Sequence, residues 1–370
     1  MEAIEVKDKA TEKQFLNLPH ALYSKDSNWV CPPHSDIRKI FDAEKNPAFQ
    51  HGKAKRWIVQ EQGRVLGRIA AFYQHKAEWR EAGIGFFESV DDEEVADLLF
   101  VTATSWLKQQ GFIEIVGPIN FGQRDAYWGL LVEGFGAPAY QDNYHLPYYQ
   151  RLFEDFGWEQ DFEQKTAMIQ ADYFNHERLG PIAQKVTSKE GYSFRSFNSR
   201  NLIQMSRDFS SIYNCAWQGH DHFNPVQEPE ILKMMKQMKP LVKDDLISLA
   251  YVDNEPAGFF VSIRDINPML RKFRGRFGIL QKLALLYQLK TQPVQRMRAI
   301  VFGVVPEHQN KGLETGMIWK VFEATRNYPH MKEMELSWIG DFNPRMLRLL
   351  EGIGAKPWKK HVTYRLKIKD

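Results

Sequence analysis

The sequence predicts an α/β protein made of two similar domains in tandem, each built on a mixed sheet. Three observations carry this. The chain has 370 residues, about two domains' worth. Short apolar strand patterns alternate with helix patterns along its whole length. The same order of elements, β-α-β-β-β-α-β-α-β, occurs once in each half.

In the first half, Ile4 to Val6 reads as a strand and Thr11 to Tyr23 as a helix, followed by the polar, proline-rich loop SNWVCPPHSD. Arg56 to Gln60 and Val65 to Phe72 flank Glu61-Gln62-Gly63-Arg64, a hairpin whose glycine supplies the positive φ of the turn. Ile84 to Val90 is the next strand. Asp91 and Asp92 then cap a helix from Glu93 to Gln110, with Val95, Leu98, Leu99, Thr102 and Trp106 on one side, and Gly111 ends it. Ile113 to Val116 is a buried-type strand, Pro147 to Phe156 a helix closed by Gly157, and Gln164 to Ala171 a strand.

The second half repeats this. Tyr192 to Phe197 is a strand and Asn201 to Trp217 a helix. Leu246 to Val252 and Ala257 to Arg264 pair around Asp253-Asn254-Glu255-Pro256. Met297 to Val305 is a strand, Thr315 to Asn327 a helix, Glu333 to Trp338 a strand, Pro344 to Glu351 a helix and Val362 to Ile368 the closing strand. The polar stretch NHERLGPIAQKVTSKEG marks the boundary, so the domains span 1–178 and 190–370.

Composition bounds the function. Hydrophobic residues make up 43% and aromatic residues 13%, which supports packed cores and argues against disorder. Cys31 and Cys215 are far apart, so neither a disulfide framework nor a cysteine-based zinc site is expected, and no metal. A charged N-terminus and the lack of any apolar run near 18 residues point to a reducing cytoplasm. Between Arg264 and Arg298, nine basic residues face the single acid Asp265, a local charge of +8 in a chain of net charge +3. The remainder therefore carries −5. Such a patch attracts phosphate, an acidic lipid surface or nucleic acid. Nucleic acid fits least, because the acidic remainder repels it and no recognition motif is present. Within the insert, 267–296, the residues Phe277, Leu280, Leu283, Ala284, Tyr287 and Leu289 form an amphipathic helix behind Arg271-Lys272-Phe273-Arg274-Gly275-Arg276. That helix either covers the sheet with its cations near a bound phosphate, the reading ranked first, or makes peripheral contact with an anionic membrane.

The segment that carries chemistry runs from Val301 to Gly316. An apolar strand leads through Val304-Val305-Pro306-Glu307-His308-Gln309-Asn310-Lys311-Gly312 into a helix. This aims several backbone N–H groups and the positive end of a helix dipole at one spot, beside the cation of Lys311, and Gly312 allows close backbone approach.

The run V-V-P-E-x-Q-x-K-G-x-x-T resembles the acyl-CoA-binding motif of the GCN5-related N-acetyltransferase (GNAT) superfamily. The resemblance implies a tandem GNAT protein using acetyl-CoA or another acyl-CoA as co-substrate. Val304 and Val305 would contact the pantetheine through their backbone. Gln309, Asn310, Lys311, Gly312, Leu313, Glu314 and Thr315 would form the pyrophosphate loop. Glu335-Leu336-Ser337-Trp338-Ile339 followed by Asn343 resembles the family's second segment, with Asn343 capping the last helix and reaching the cofactor. Two departures stand out: the loop's second glycine is Glu314, and the position of the family's tyrosine general acid is Leu350. Tyr364 is the substitute acid, and Glu335 or Glu333 the candidate base. In the first half the corresponding turn, Ser89-Val90-Asp91-Asp92-Glu93-Glu94, carries four acids and no glycine, which repels pyrophosphate; this half resembles a degenerate GNAT domain that shapes the acceptor pocket.

The sequence thus points to an acyl-CoA-dependent N-acyltransferase, in the first instance an N-acetyltransferase, acting on a small-molecule or peptide amine as a monomer or homodimer. The alternatives are a non-catalytic acyl-CoA binder and a transferase using long-chain donors at a membrane surface. His220-Asp221-His222 looks metal-like but lacks a third ligand nearby. The glycine-rich loop Gly117 to Gly129 is a candidate wall of the substrate cleft.

Overall fold

The computed structural model describes residues 1–75, 79–124, 126–170, 174–219 and 225–368. The first half contributes β1 (Glu2–Glu5), α1 (Lys9–Leu22), α2 (His34–Ile40), β2 (Gly52–Glu61), β3 (Arg64–His75), β4 (Arg80–Ser89), α3 (Glu93–Gln109), β5 (Glu114–Gly117), β6 (Leu130–Glu133), α4 (Tyr149–Phe156) and β7 (Glu159–Gln170). The second contributes α5 (His176–Thr187), β8 (Tyr192–Ser196), α6 (Leu202–Trp217), α7 (Glu228–Met238), β9 (Ile247–Val252), β10 (Glu255–Arg264), α8 (Asn267–Leu270), α9 (Ile279–Thr291), β11 (Arg296–Val304), α10 (Leu313–Ala324), β12 (Glu333–Gly340), α11 (Pro344–Gly352) and β13 (Lys356–Lys367).

All these strands join one sheet, in the order β1-β2-β3-β4-β5-β13-β7-β12-β11-β10-β9-β8, with β6 also pairing β13. The order contains an exchange. The last strand of the chain, β13, pairs with β5 of the first half, and β7 from the first half pairs with β12 of the second. β7 and β13 lie antiparallel to each other at the centre. Each half is therefore completed by the other's final strand, and chain bounds of 1–178 and 190–370 do not divide the sheet in space. Strand patterns alone carry no information about which half a final strand joins, because either pairing buries the same alternate residues.

The expected helices form for the expected reasons. The Asp92 carboxylate accepts the Val95 amide at 3.2 Å and starts α3, which buries Val95, Leu99, Phe100, Ala103 and Leu107 over the first-half strands. In the second half, Phe209 of α6 stacks on Phe259 of β10 at 4.5 Å between centroids, while α10 buries Met317, Ile318, Val321 and Phe322. The presumed linker differs from expectation. Residues 176–187 are helical, capped by Asn175, and bury Leu179 and Ala183, four residues apart, so this segment packs as part of the second half.

Candidate active site

β11 and β12 run parallel and pair only from Arg296–Glu333 to Ala299–Leu336. Beyond that point β12 continues against β7 through Ile339 and Gly340, while β11 stays with β10. The two strands separate, and the backbone edge of Ile300 to Val304 faces a cleft without a ladder partner on the β12 side. A bulge at Ile300, opposite the Val261/Ser262 step of β10, marks the vertex. The Ser337 hydroxyl donates to the Ala299 carbonyl there, at 2.6 Å.

The cleft leads to the turn before α10. Gly312 has φ of +88° and sits at the N-cap, and no side chain caps the helix. The first amides of α10 are therefore left to a ligand. A Cβ at position 312 would lie 2.6 Å from Val186 Cγ2, so both conformation and space demand glycine. Asn310 also takes a left-handed conformation, at φ +62°. Lys311 is exposed, Leu313 buried and Thr315 half-buried. The Gln309 amide donates to the Val304 carbonyl at 3.1 Å and ties the turn to the strand end, while the Val305 amide bonds Ala257 of the neighbouring chain segment. Glu314, the departure from the family pattern, turns onto Arg345 of α11, 2.8 Å away, so its charge is neutralised beside the turn. Asn343 caps α11 by accepting the Met346 amide at 3.2 Å. The structure thus gathers Val304, Val305, Gln309 to Thr315 and, through Arg345, the α11 cap at one end of the cleft.

The two proposed catalytic side chains sit elsewhere. Tyr364 is fully buried in the core of the first half, its ring 5.5 Å from that of Phe153 and its hydroxyl donating to Glu154 at 3.0 Å. Strand exchange carries it there, away from the turn before α10, so it is not positioned as the acid. Glu335 is fully buried at the vertex. Lys359 holds both of its oxygens at 3.0 and 3.2 Å, and Arg296 also donates to it. A carboxylate so engaged serves as a fixed charge rather than a free base. Glu333 lies within ion-pair reach of Arg296 as well, at 3.7 Å. Around this pair the structure assembles residues that sequence patterns missed. Arg298 bridges to Asp142 and the Tyr140 carbonyl from the first half, Lys359 lies 3.8 Å from Asp142, and His361 bonds the Asn143 carbonyl at 3.0 Å. Burial drives the His361 imidazole down to about 4, so it is neutral at physiological pH. Tyr127, Asp142, Trp338 and His361 line a narrow recess at this point. Of the loop Gly117 to Gly129, Tyr127 and Trp128 line this recess; the rest of its first-half wall, Gln141 to Asn143, lies beyond that loop and no local spacing rule signals it, because its ion-pair and hydrogen-bond partners are over 150 residues away.

On the far side of the bulge, Ile300 and Val301 open onto an apolar pocket lined by Phe197, Phe209, Met234, Met235 and Met238 from α6, α7 and nearby segments. The basic insert corrects another expectation. It connects β10 to the start of β11, whereas the phosphate turn follows the end of β11, a strand length of roughly 30 Å away. Its cations do not adjoin that turn. Of the nine, Arg264, Arg296 and Arg298 point inward to protein partners. Arg271, Lys272, Arg274, Arg276, Lys282 and Lys290 are exposed. α9 itself faces outward: Ile279 and Leu280 are each 77% exposed and Tyr287 70%, with Leu283 and Leu286 on the same stripe, while Leu285 packs inward. His220-Asp221-His222 lies outside the described residues.

A third group was invisible in sequence. His20 at the end of α1, Cys31 and His34 bring their ligating atoms within 4.8 Å of one another.

No family model matches the chain. It is 30% identical to Protein YghO of Escherichia coli over 368 residues, covering 96% of this chain and 93% of that protein. It is 27% identical to Bacterial ceramide synthase of Caulobacter vibrioides over 376 residues, covering 98% and 97%. Among solved structures it resembles a tandem GNAT protein from the clavulanic acid biosynthesis pathway, with a TM-score of 0.58, 14% identity and coverage of 100% and 99%.

Proposed function

We infer that this chain, which belongs to one family with Protein YghO of Escherichia coli and has the tandem GNAT fold, is an acyl-CoA-dependent N-acyltransferase working in the cleft of its second half. The carrying observation is the unpaired β11 edge running into the uncapped start of α10 beside Lys311. Pantetheine would lie along Val304 and Val305, and pyrophosphate on the 309–315 turn. The acceptor amine attacks the thioester carbonyl carbon, a C–N bond forms as the C–S bond breaks, and CoA leaves as the thiol. A strand N–H near the bulge would hold the oxyanion. The neutral His361 is the group on the recess wall able to receive the amine's proton, with the ion-paired Asp142 beside it as a fixed charge.

Calorimetric titration with CoA, acetyl-CoA and a long-chain acyl-CoA tests this. Saturable binding lost in a Lys311→Ala, Gly312→Trp double variant supports the site, and turnover of any of the thioesters excludes a purely binding role. No binding by the wild-type chain removes the transferase reading.

A finer reading is a lipid-directed transferase. The apolar cavity beside the bulge has the chemistry to take a long alkyl chain from donor or acceptor. The outward apolar stripe of α9, ringed by six exposed cations, fits an anionic bilayer surface. One relative, of similar length, is named a ceramide synthase. Ile300→Trp, which fills the cavity, should weaken long-chain acyl-CoA turnover at least tenfold more than acetyl-CoA turnover; equal losses remove the alkyl-chain assignment. Sedimentation with phosphatidylglycerol vesicles at low salt should be lost in Leu280→Glu, Tyr287→Glu, and equal sedimentation of that variant removes the membrane contact.

A further inference from the structure

His20, Cys31 and His34 come from the end of one helix and the start of another, with Pro32 and Pro33 between the last two. Cys31 Sγ lies 3.5 Å from His20 Nε2 and 3.6 Å from His34 Nε2. A tetrahedral zinc ion, with bonds of about 2.3 Å to sulfur and about 2.05 Å to nitrogen, sets its sulfur and nitrogen ligands about 3.5 Å apart. Both observed separations match that spacing. Space around the group is tightly defined. Gly275, at φ +79°, passes so close that a Cβ there would lie 2.4 Å from His34 Nε2 and 2.9 Å from Cys31 Sγ, and its carbonyl accepts the His34 amide at 2.8 Å. Cys31 and His34 line a cavity of about 60 Å³ between the halves, with Glu88, Tyr144 and Asn267, which leaves room for a fourth ligand such as water.

We propose that His20, Cys31 and His34 form a three-ligand site for Zn²⁺. Binding replaces the Cys31 thiol proton: a sulfur–zinc bond forms, the S–H bond breaks, and one proton per ion passes to solvent. The ion would join α1 to the 31–34 turn and, through the Gly275 contact, to the root of the basic insert. The site stands independently of the acyl-transfer reading.

The test uses the full chain, stripped with chelator and titrated with Co²⁺ and then Zn²⁺. The expected result is one equivalent per chain, a thiolate-to-cobalt charge-transfer band that Zn²⁺ displaces, and loss of both in Cys31→Ser but not in Cys215→Ser. As a check that does not depend on a variant's folding, Zn²⁺ should protect Cys31 of the wild-type chain from alkylation while leaving Cys215 at its unliganded rate. Absence of the thiolate band and of Cys31 protection in the folded wild-type chain overturns the proposal, as does retention of a full equivalent by Cys31→Ser.

Discussion

The two halves place an arginine and an acid at the same joint and use them differently. In the first half Arg151 of α4 reaches the start of α3 and is taken up by Asp91 and Glu93, with Asp155 also in range. In the second, Arg345 of α11 reaches the start of α10 and meets Glu314 alone among the acids there, with Gln309 Oε1 at 3.5 Å. The helix starts differ in the same sense. Asp92 fills the cap of α3 with its own carboxylate, whereas Gly312 leaves the start of α10 open. The sheet differs too. The gap between β4 and β5 is closed by the chain beyond β5, where the Ile119 amide bonds the Ile84 carbonyl at 2.8 Å and Gly85 lies against the Ile119 backbone. The gap between β11 and β12 has no such plug among the described residues. The comparison teaches that a repeated fold can keep its packing joint while one copy closes its helix start with acids and a cap and the other leaves it open.

The largest expected effect breaks the second half's site. Gly312→Trp should lower acyl-CoA affinity by at least 100-fold in calorimetry, since Val186 blocks a side chain and the left-handed backbone is strained. The equivalent crowding at the acidic turn, Asp92→Trp, should leave affinity unchanged. Lost binding from both variants would mean that the halves share the ligand.

Next in size is the charge cluster where the halves meet. Lys359→Met leaves Glu335 buried with Arg296 as its remaining ion-pair partner and should destabilise the protein by about 3–5 kcal/mol in denaturant unfolding. A loss below about 1 kcal/mol would show that Arg296 alone satisfies the carboxylate. Acid should act on the same region. His145 and His361 are buried and lowered to about 3 and about 4, so the unfolded chain binds more protons between those values and about 6.5. Their contribution is complete above about pH 6.5 and is lost as pH falls toward 4, about 3 kcal/mol from each. Glu88 and Asp265, raised by burial, take up protons in the folded state before the unfolded one and so oppose this fall. His361→Gln should flatten the fall in stability between pH 6.5 and 4.5, and an unchanged slope would place the acid sensitivity elsewhere.

Much of this was legible in the chain. The periodic, capped helices, the hairpin turns, the duplicated order and the 304–315 turn all announce themselves through local rules, and Asn343 caps α11 as the resemblance implied. What was hidden is non-local. Nothing in the pattern of β13 says that it will pair with β5, so Tyr364 was assigned to a cleft it does not reach. Glu335 reads as an exposed strand residue by period two, yet Lys359, 24 positions later, comes back through the exchanged strand to bury it. His20, Cys31 and His34 match no ligand spacing, because the chain folds them together through a helix end and a proline turn. The outward stripe of α9 was visible as an amphipathic pattern, but which side would face solvent depends on the packing of Leu285 against Val30 and Leu270.

The smallest effect sharpens the comparison most directly. Arg345→Ala should free the Glu314 carboxylate to face a bound pyrophosphate and weaken acyl-CoA binding by about tenfold, near 1.4 kcal/mol. If the loss comes from that exposed charge, adding Glu314→Gln should restore most of the affinity, because the amide carries no charge to repel phosphate. If it comes from a direct Arg345–phosphate contact, the double variant should stay as weak as the single one. The same cycle in the first half, Arg151→Ala with Glu93→Gln, should leave acyl-CoA affinity unchanged and stability almost unchanged, as befits exposed ion pairs. Recovery confined to the second half would show that the arginine acts there by holding an acid away from the ligand.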